Sequence, residues 1–168
     1  MSGSRFVAVL MGSDSDLGRL EGGLEQLRAL EIPFEARVLS AHRTPQALIE
    51  FVSGASDVGV FICAAGGAAH LAGVVAAHTD RPVLGIPMDN PPLGGLDALL
   101  STVQMPGGVP VATFGAGSGG PVNAALFAAR VLSLSDEGLA RRLAAFRSSQ
   151  VEKVVAKDRK LQEKLAQG

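Results

Sequence analysis

The residues best suited to chemistry in this chain form the short run Ser40-Ala41-His42-Arg43-Thr44. A histidine accepts and releases a proton near neutral pH, which makes His42 a candidate general acid and base. Arg43 can pair with a phosphate group. The run is therefore a candidate for proton transfer beside a bound phosphate. The alternative, that His42 is a solvated loop residue, stays open on these residues alone.

A second polar run, Ser13-Asp14-Ser15-Asp16, comes at the start of a predicted helix. Free backbone N–H groups and the positive end of the helix dipole attract a phosphate there, and Ser13 can add a hydrogen bond. Ser13 followed by Asp16 fits a capping box equally well, in which both side chains only complete the helix start. Two carboxylates beside a phosphate would repel it, so Asp16 is better suited to sugar hydroxyls. No Walker A pattern indicates a nucleoside triphosphate.

A glycine-rich run, Gly66-Gly67-Ala68-Ala69-His70, would let the backbone approach a ligand closely. The same small residues would also suit tight packing of a helix on a sheet. His70 could line a site, cap a helix or pack. On the run alone, these interpretations remain open.

Metal and nucleophile patterns are missing from the sequence. One cysteine, Cys63, and three scattered histidines have no zinc-ligand spacing, so no metal site is expected. Cys63 ends a predicted strand and is interpreted as a small buried hydrophobe that cannot form an intrachain disulfide. The G-x-S-x-G pattern of serine hydrolases does not occur.

Short apolar runs alternate with segments of helical periodicity along the chain. Strands are predicted over residues 5–11, 34–39, 58–63, 82–86 and 109–113. Helices are predicted over residues 15–31, from Thr44-Pro45 onward, and over 68–77, 122–134 and 136–165. This alternation indicates a parallel sheet with right-handed crossovers. We therefore expect residues 1–168 to form a single catalytic domain, a flavodoxin-like α/β three-layer sandwich with a five-stranded parallel sheet, whose strand-to-helix loops gather at one ligand-binding edge.

The last predicted helix, over residues 136–165, is long and amphipathic. Its apolar residues near one face are Leu139, Leu143, Phe146, Val154, Leu161 and Leu165. Packing on its own domain is one interpretation. Since the other helices suffice to cover the sheet, contact with another subunit is the preferred prediction.

Charge and hydropathy exclude several functional classes. The chain has 15 basic and 16 acidic residues, well mixed, with a net charge of −1, which is unlike the basic stripe of a nucleic-acid-binding protein. No apolar stretch is long enough to span a bilayer, and the amino terminus lacks a secretory-signal pattern. Together with the single cysteine, this predicts a cytoplasmic protein without nucleic-acid or membrane partners. The absence of Trp and Tyr favours a small heterocycle over a large aromatic ligand.

Four motifs in this order and spacing carry a resemblance to a known family: MGSDSD, SAHRTP, GGAAHLAG and VQMPGGVPV. They resemble the 5-(carboxyamino)imidazole ribonucleotide mutases of purine biosynthesis, the class I PurE family. The resemblance extends from about Arg5 into the C-terminal helix. It implies a flavodoxin-like subunit, a homo-octamer with active sites shared between subunits, a ribonucleotide substrate, and no metal or organic cofactor.

The resemblance also implies roles for the matching residues. Ser13, Ser40 and Arg43 correspond to the phosphate-binding residues, Asp16 to the ligand of the ribose hydroxyls, and His42 to the general acid and base. The loop that closes around the imidazole and the migrating carboxylate corresponds to Gly66, Gly67, Ala68 and His70. The pocket is completed in the family by positions that correspond to Met88 and the Leu93-Gly94 stretch.

The chain departs from the family pattern at three places. Ala64 stands where glycine is usual, Ala72 where proline is usual, and the loop Asp89-Asn90-Pro91-Pro92 is unlike the common one. The extra methyl group of Ala64 could tighten the pocket, which concerns rate and closure more than reaction type.

Three alternatives to the mutase remain. A related group carboxylates aminoimidazole ribonucleotide directly with carbon dioxide, and the run from Gly66 to His70 argues against it. A non-catalytic nucleotide sensor on the same fold would bind a ribonucleotide and release it unchanged. A flavin-binding module is the third, and the lack of Trp and Tyr makes ring stacking awkward for it.

Overall fold

A computed structural model describes residues 5–166. Its centre is a five-stranded, fully parallel sheet in the order β2-β1-β3-β4-β5. The strands are β1 (Phe6–Met11), β2 (Phe34–Val38), β3 (Val58–Ala65), β4 (Val83–Pro87) and β5 (Ala112–Thr113). This flavodoxin-like architecture confirms the predicted fold class. Within residues 5–166, no helix is both long enough and apolar enough to cross a bilayer.

Six helices follow or join these strands. They are α1 (Leu17–Ala29), which a 3₁₀ turn over Asp14–Asp16 precedes, α2 (Pro45–Gly54), α3 (Leu71–Ala76), α4 (Leu96–Val103), α5 (Gly119–Ser133) and α6 (Glu137–Ala166). Side chains alternate across the sheet, as period-two residues must. Val7 and Val9 belong to the core under α1 and α5, whereas Ala8 and Leu10 belong to the core under α2 and α3. The sandwich therefore has two apolar cores, one on each face.

The sequence interpretation differs from the structure mainly around β4 and β5. Helix α4 was not predicted, and β5 is shorter than residues 109–113 because it begins at Ala112. Pro110 has no backbone N–H to donate to a neighbouring strand, so the ladder cannot extend through it. The helix predicted over residues 68–77 begins at Leu71 in the structure, and residues 66–70 form the loop before it.

Helix α6 begins on the domain and then leaves its surface. The Asp136 carboxylate accepts a hydrogen bond from the Leu139 backbone N–H at 2.9 Å, which caps the helix start. Leu139 is buried, and Leu143 and Phe146 pack against the α1/α5 core. From Val151 to Ala166 every residue is exposed. The second half of α6 therefore makes no core contact within the described chain.

Cys63 lies in the middle strand, β3, and is buried in the core under α2 and α3. Burial raises the pKa of its thiol well above the ordinary value, because the thiolate is disfavoured away from water. Cys63 thus behaves as the buried hydrophobe expected for it.

Candidate active site

The carboxyl ends of β1, β2, β3 and β4 open into one cavity of about 390 Å³. Parallel strands place their following loops at the same edge, so residues distant in sequence meet there. The lining residues are Gly12, Ser13, Ser15, Asp16, Ser40, Ala41, His42, Arg43, Ala65, Gly66, Ala68, His70, Leu71 and Asn90.

The loop between β2 and α2 is a closed turn that projects His42. The Ser40 backbone N–H donates to Thr44 Oγ1 at 2.9 Å, and the Thr44 backbone N–H donates to the Ser40 carbonyl at 3.0 Å. Ser40 Oγ accepts from the Arg43 backbone N–H at 3.2 Å. Thr44 is the N-cap residue of α2, with Pro45 in the first turn, but its side chain bonds to Ser40 instead of the helix. These bonds fix the turn, so His42 is held at the cavity although it is exposed.

Two histidine rings meet at the cavity. His42 Nε2 and His70 Nδ1 lie 2.8 Å apart, and the rings are nearly perpendicular at 85°. One of the two nitrogens must carry the hydrogen of this bond, since two acceptors or two donors would repel. The tautomer of one ring therefore determines that of the other. An imidazole pair arranged like this can accept a proton at one position and return it from another.

Arg43 joins the second loop to the first. Its Nη2 donates to the Gly12 carbonyl at 3.0 Å, which leaves other guanidinium N–H groups available. Ser13 and Ser40 line the same cavity, each half-buried. A guanidinium with two nearby hydroxyls is a donor set suited to phosphate oxygens.

Asp16 is the buried carboxyl group of the cavity, with 5% of its surface exposed. Burial raises its pKa above the ordinary value, while the Arg19 guanidinium and the Ser13 backbone N–H act in the opposite direction, and Asp14 raises it further. Ser13 Oγ accepts from the Ser15 backbone N–H at 3.3 Å, so Ser13 caps the 3₁₀ turn. Capping and a binding role for Ser13 are therefore compatible. A buried carboxylate beside the cavity suits sugar hydroxyl donors.

The loop after β3 forms one wall through its backbone and small side chains. Gly67 has a φ of +62°, a left-handed conformation that glycine adopts without strain. Gly66 lies against the side chain of Asn90, which comes from the loop after β4. The loop after β3 also brings His70 to His42.

The cavity brings together most of the residues expected from the sequence. Those that line it are Ser13, Asp16, Ser40, His42, Arg43, Gly66, Ala68 and His70. Gly67 turns the loop without lining the cavity, Met88 is buried behind Gly66, and Leu93 is 59% exposed at a distance from it. These three residues do not line the cavity of the single chain, and their contacts with substrate stay predictions.

Sequence reasoning did not select Ser15 and Asn90, which also line the cavity. Ser15 is part of the MGSDSD motif, so its place beside Ser13 was a usable signal. Asn90 was noted only as part of an unusual loop. Among residues 5–166, no three His, Cys, Asp or Glu side chains group in a way that could hold a metal ion.

Comparisons with known proteins identify the family of the chain. A family model described as AIR carboxylase matches residues 6–153. The N5-carboxyaminoimidazole ribonucleotide mutase of Brucella melitensis is 52% identical over 150 residues, which cover 88% of this chain and 93% of the relative. The protein of the same name from Bacillus subtilis is 50% identical over 140 residues, which cover 82% and 86%.

Solved structures show the same fold. The crystal structure of a variant of Treponema denticola PurE2 has a TM-score of 0.86 and 28% identity, covering 95% of this chain and 99% of that one. Treponema denticola PurE has a TM-score of 0.81 and 30% identity, covering 94% and 98%. From the family match and these relatives, the chain belongs to the AIR carboxylase family.

Proposed function

We propose that this chain is an N5-carboxyaminoimidazole ribonucleotide mutase of purine biosynthesis. Such an enzyme moves a carboxylate from the exocyclic nitrogen of its substrate to ring carbon 4. Relatives between 46% and 52% identical carry this name. The observation that carries the proposal is the position of His42, which shares one cavity with the phosphate-suited groups Ser13, Ser40 and Arg43.

The reaction needs one group that first gives and then takes a proton. In the proposed first step His42 protonates the exocyclic nitrogen, the bond between nitrogen and the carboxylate carbon breaks, and carbon dioxide forms. Ring carbon 4 of the aminoimidazole then attacks carbon dioxide. The resulting tetrahedral carbon returns its proton to His42, which restores both the ring and the starting state of the histidine. Atoms and charges balance without an external oxidant or reductant.

Two further demands fall on the other lining residues. Carbon dioxide must stay beside the ring between the two steps, and Gly66 and Ala68, which have no polar side chain, leave room for it at the cavity wall. The phosphate, anchored by Arg43 and the two serines, holds the ring against rotation. Binding far from the reacting atoms thus contributes to the rate through orientation.

A second candidate is direct carboxylation of aminoimidazole ribonucleotide by carbon dioxide. The observation that favours it is the description of the matching family model, AIR carboxylase. The two reactions share a product and differ in whether the carboxylate arrives on the substrate. The identity to relatives that are named mutases is the reason to prefer the first reaction.

A direct turnover assay separates these functions. Purified protein is mixed with N5-carboxyaminoimidazole ribonucleotide without ATP, metal or added bicarbonate, and the carbon-carboxylated product is followed. The proposal expects rapid conversion with little incorporation of label from bicarbonate. If product forms only from aminoimidazole ribonucleotide and carbon dioxide, the chain is a carboxylase instead. Tight binding without turnover in either assay would favour the nucleotide sensor.

The assembly is the remaining part of the proposal: a cytoplasmic homo-octamer in which the second half of α6 packs on a neighbouring subunit. Support comes from apolar side chains on this half that have no cover within residues 5–166, with Val154 66%, Leu161 52% and Leu165 65% exposed. Apolar stripes of this kind commonly mark subunit interfaces. Leu93, which does not line the cavity of its own subunit, is also available for contact with a neighbouring subunit.

Sedimentation tests this assembly. Leu161→Glu is expected to convert the oligomer into smaller species, because a charge would be buried in the interface. Glu163→Lys, on the opposite side of the same exposed helix, is the matched control and should sediment like the wild type. An unchanged sedimentation coefficient for Leu161→Glu would remove the second half of α6 from the interface.

A further inference from the structure

The side chain of Asn90 is built into the wall of the cavity. It reaches from the loop after β4 to the backbone of Gly66, in the loop after β3. A Cβ atom at position 66 would lie 3.1 Å from Asn90 Cγ and closer still to Nδ2. The amide thus occupies the space that any side chain at position 66 would need.

The orientation of this amide is determined by Arg19. Arg19 Nη1 donates a hydrogen bond to Asn90 Oδ1. Because a guanidinium can only donate, the oxygen of the amide must face Arg19, and the NH₂ group must face the other way, toward Gly66 and the cavity. The amide therefore presents donors, not an acceptor, beside the site.

Arg19 is itself held by a second contact. Its Nε lies 3.2 Å from Asp89 Oδ1, so adjacent residues of the β4 loop bind adjacent nitrogens of one guanidinium. Both side chains are about half exposed, with 44% and 48% of their surfaces accessible. An exposed pair like this contributes little to stability, so its effect is on geometry. Arg19 and Asp89 lie outside the lining of the cavity.

The order of the strands indicates which part of a ligand Asn90 meets. The phosphate-suited residues follow β1 and β2, whereas Asn90 follows β4, on the other side of β3. Asp16, an acceptor, suits the donors of a sugar. The donors of Asn90 suit a group that only accepts hydrogen bonds. Because the phosphate is assigned to the loops after β1 and β2, the remaining acceptor-only group of the proposed substrate is its carboxylate.

We propose that Asn90 is a further substrate-binding residue, whose Nδ2 donates a hydrogen bond to the carboxylate of the bound ribonucleotide beside Gly66. Arg19 is then a positioning residue that turns the amide. This inference rests on the proposed function for the identity of the ligand, and it names a specificity role for the loop in which the chain departs from its family. A carboxylate held there is kept close to the ring on which it is to be placed.

Calorimetric titration with two ribonucleotides tests the inference. The carbon-carboxylated product has the carboxylate, and aminoimidazole ribonucleotide lacks it. The product is used because the wild type would convert the substrate during the titration. Asn90→Asp keeps the size of the side chain and replaces its donor with a charged acceptor. We expect the affinity for the carboxylated ligand to fall by about 30-fold, the loss of a hydrogen bond to a charged group. The affinity for aminoimidazole ribonucleotide should stay within about threefold.

A matched control accompanies this titration. Gln46→Glu makes the same amide-to-acid change at an exposed position of α2 outside the cavity lining and should leave both affinities unchanged. Equal losses for both ligands, or no loss for either, would overturn the role of Asn90. Wild-type protein that binds both ligands but does not convert N5-carboxyaminoimidazole ribonucleotide in the turnover assay removes the proposed function and leaves this inference intact. Wild-type protein that binds neither overturns both.

Arg19 and Gly66 provide two independent checks of the same contact. Asn90→Ala, which removes the amide, should lower the affinity for the carboxylated ligand relative to that for aminoimidazole ribonucleotide. Arg19→Met should reproduce most of this loss, and Arg19→Lys should recover part of it, because lysine can still donate to Oδ1. Gly66→Ala must displace the amide, so it should weaken carboxylate binding in the wild type and add little in an Asn90→Ala background. Additive losses in that cycle would mean that the two residues act separately and would overturn the contact.

Discussion

Two glycine-rich loops leave the same edge of the sheet and use their glycines differently. After β3, Gly66 is approached by the side chain of Asn90 beside the cavity. After β5, Gly120 lies against the backbone of its own loop: a Cβ there would be 3.0 Å from the Gly115 carbonyl carbon and closer to its oxygen. Residues 115–120 are not among those that line the cavity in the described chain.

The comparison teaches that glycine content does not identify a binding loop. The two loops differ in the group that lies where a side chain at the glycine would be. In the β5 loop this group is the chain itself, and the glycine serves the start of α5. In the β3 loop it is a polar side chain from the loop after β4, oriented by contacts outside the cavity. The chemistry is therefore expected to depend on the β3 side, and the stability on the β5 side.

The largest effect is expected from His42→Asn. This variant tests whether the chemistry depends on the part of the sheet edge where His42 contacts His70. Loss of a general acid and base typically lowers turnover by about 10²–10⁴-fold, while ribonucleotide affinity should change little. His78→Asn is the control, since His78 is exposed and its ring bonds to the Val74 carbonyl of its own helix region, away from the cavity. Steady-state kinetics with calorimetry measures both quantities. Full turnover in His42→Asn would remove the proposed mechanism.

Gly120→Ala tests the β5 side and should have the next largest effect. The added methyl group must displace the backbone of Gly115, and such overpacking costs about 1–3 kcal/mol of unfolding free energy. Gly117→Ala, in the same loop with open space around it, should change stability by less than about 0.5 kcal/mol. Denaturant unfolding measures both variants. A folded, fully stable Gly120→Ala variant that loses ligand affinity would reverse the assignment of the two loops.

The smallest effect is expected from Asp16, whose buried position beside the cavity should lower the stability of the folded protein. Burial raises its pKa, so ionising the carboxyl costs more in the folded protein than in the unfolded chain, and this cost lowers the stability at neutral pH. Asp16→Asn should therefore be more stable than the wild type at pH 7, and this advantage should shrink as the pH falls through the raised pKa, where the wild type takes up a proton. Ribonucleotide affinity should fall about tenfold.

Thermal melts from pH 4 to 8, with calorimetry at pH 7, separate these two consequences. A difference in stability that does not change with pH would contradict the raised pKa. Unchanged affinity would remove Asp16 from the sugar site and would leave it as a residue of the helix start.

Patterns local in sequence predicted the fold and much of the cavity. The five strands and the motif residues Ser13, His42 and Arg43 could be located because apolar runs and strand-end loops repeat along the chain. Helix α4 was missed although Leu96, Leu99, Leu100 and Val103 have helical spacing, because the preceding prolines and glycines resemble a longer loop.

The Arg19–Asn90 contact could not be predicted in that way. Its residues are 71 positions apart, and neither belongs to a recognisable motif. Only the strand order, which brings the β4 loop across to the start of α1, makes them neighbours. His70 and His42 each belong to a recognisable motif, but they are 28 positions apart, and their direct contact also depends on the fold. Such contacts follow from the tertiary arrangement and not from local periodicity.

The burial of Cys63 has a practical consequence for observing this protein at work. Cys63 is the chain's one cysteine, and its thiol is buried with a raised pKa, so maleimide and iodoacetamide reagents should not react with it. A cysteine introduced on the exposed surface of α6, such as Ser148→Cys, would then be the single labelled position. Fluorophores placed there on different copies could report the distance between neighbouring helices during assembly.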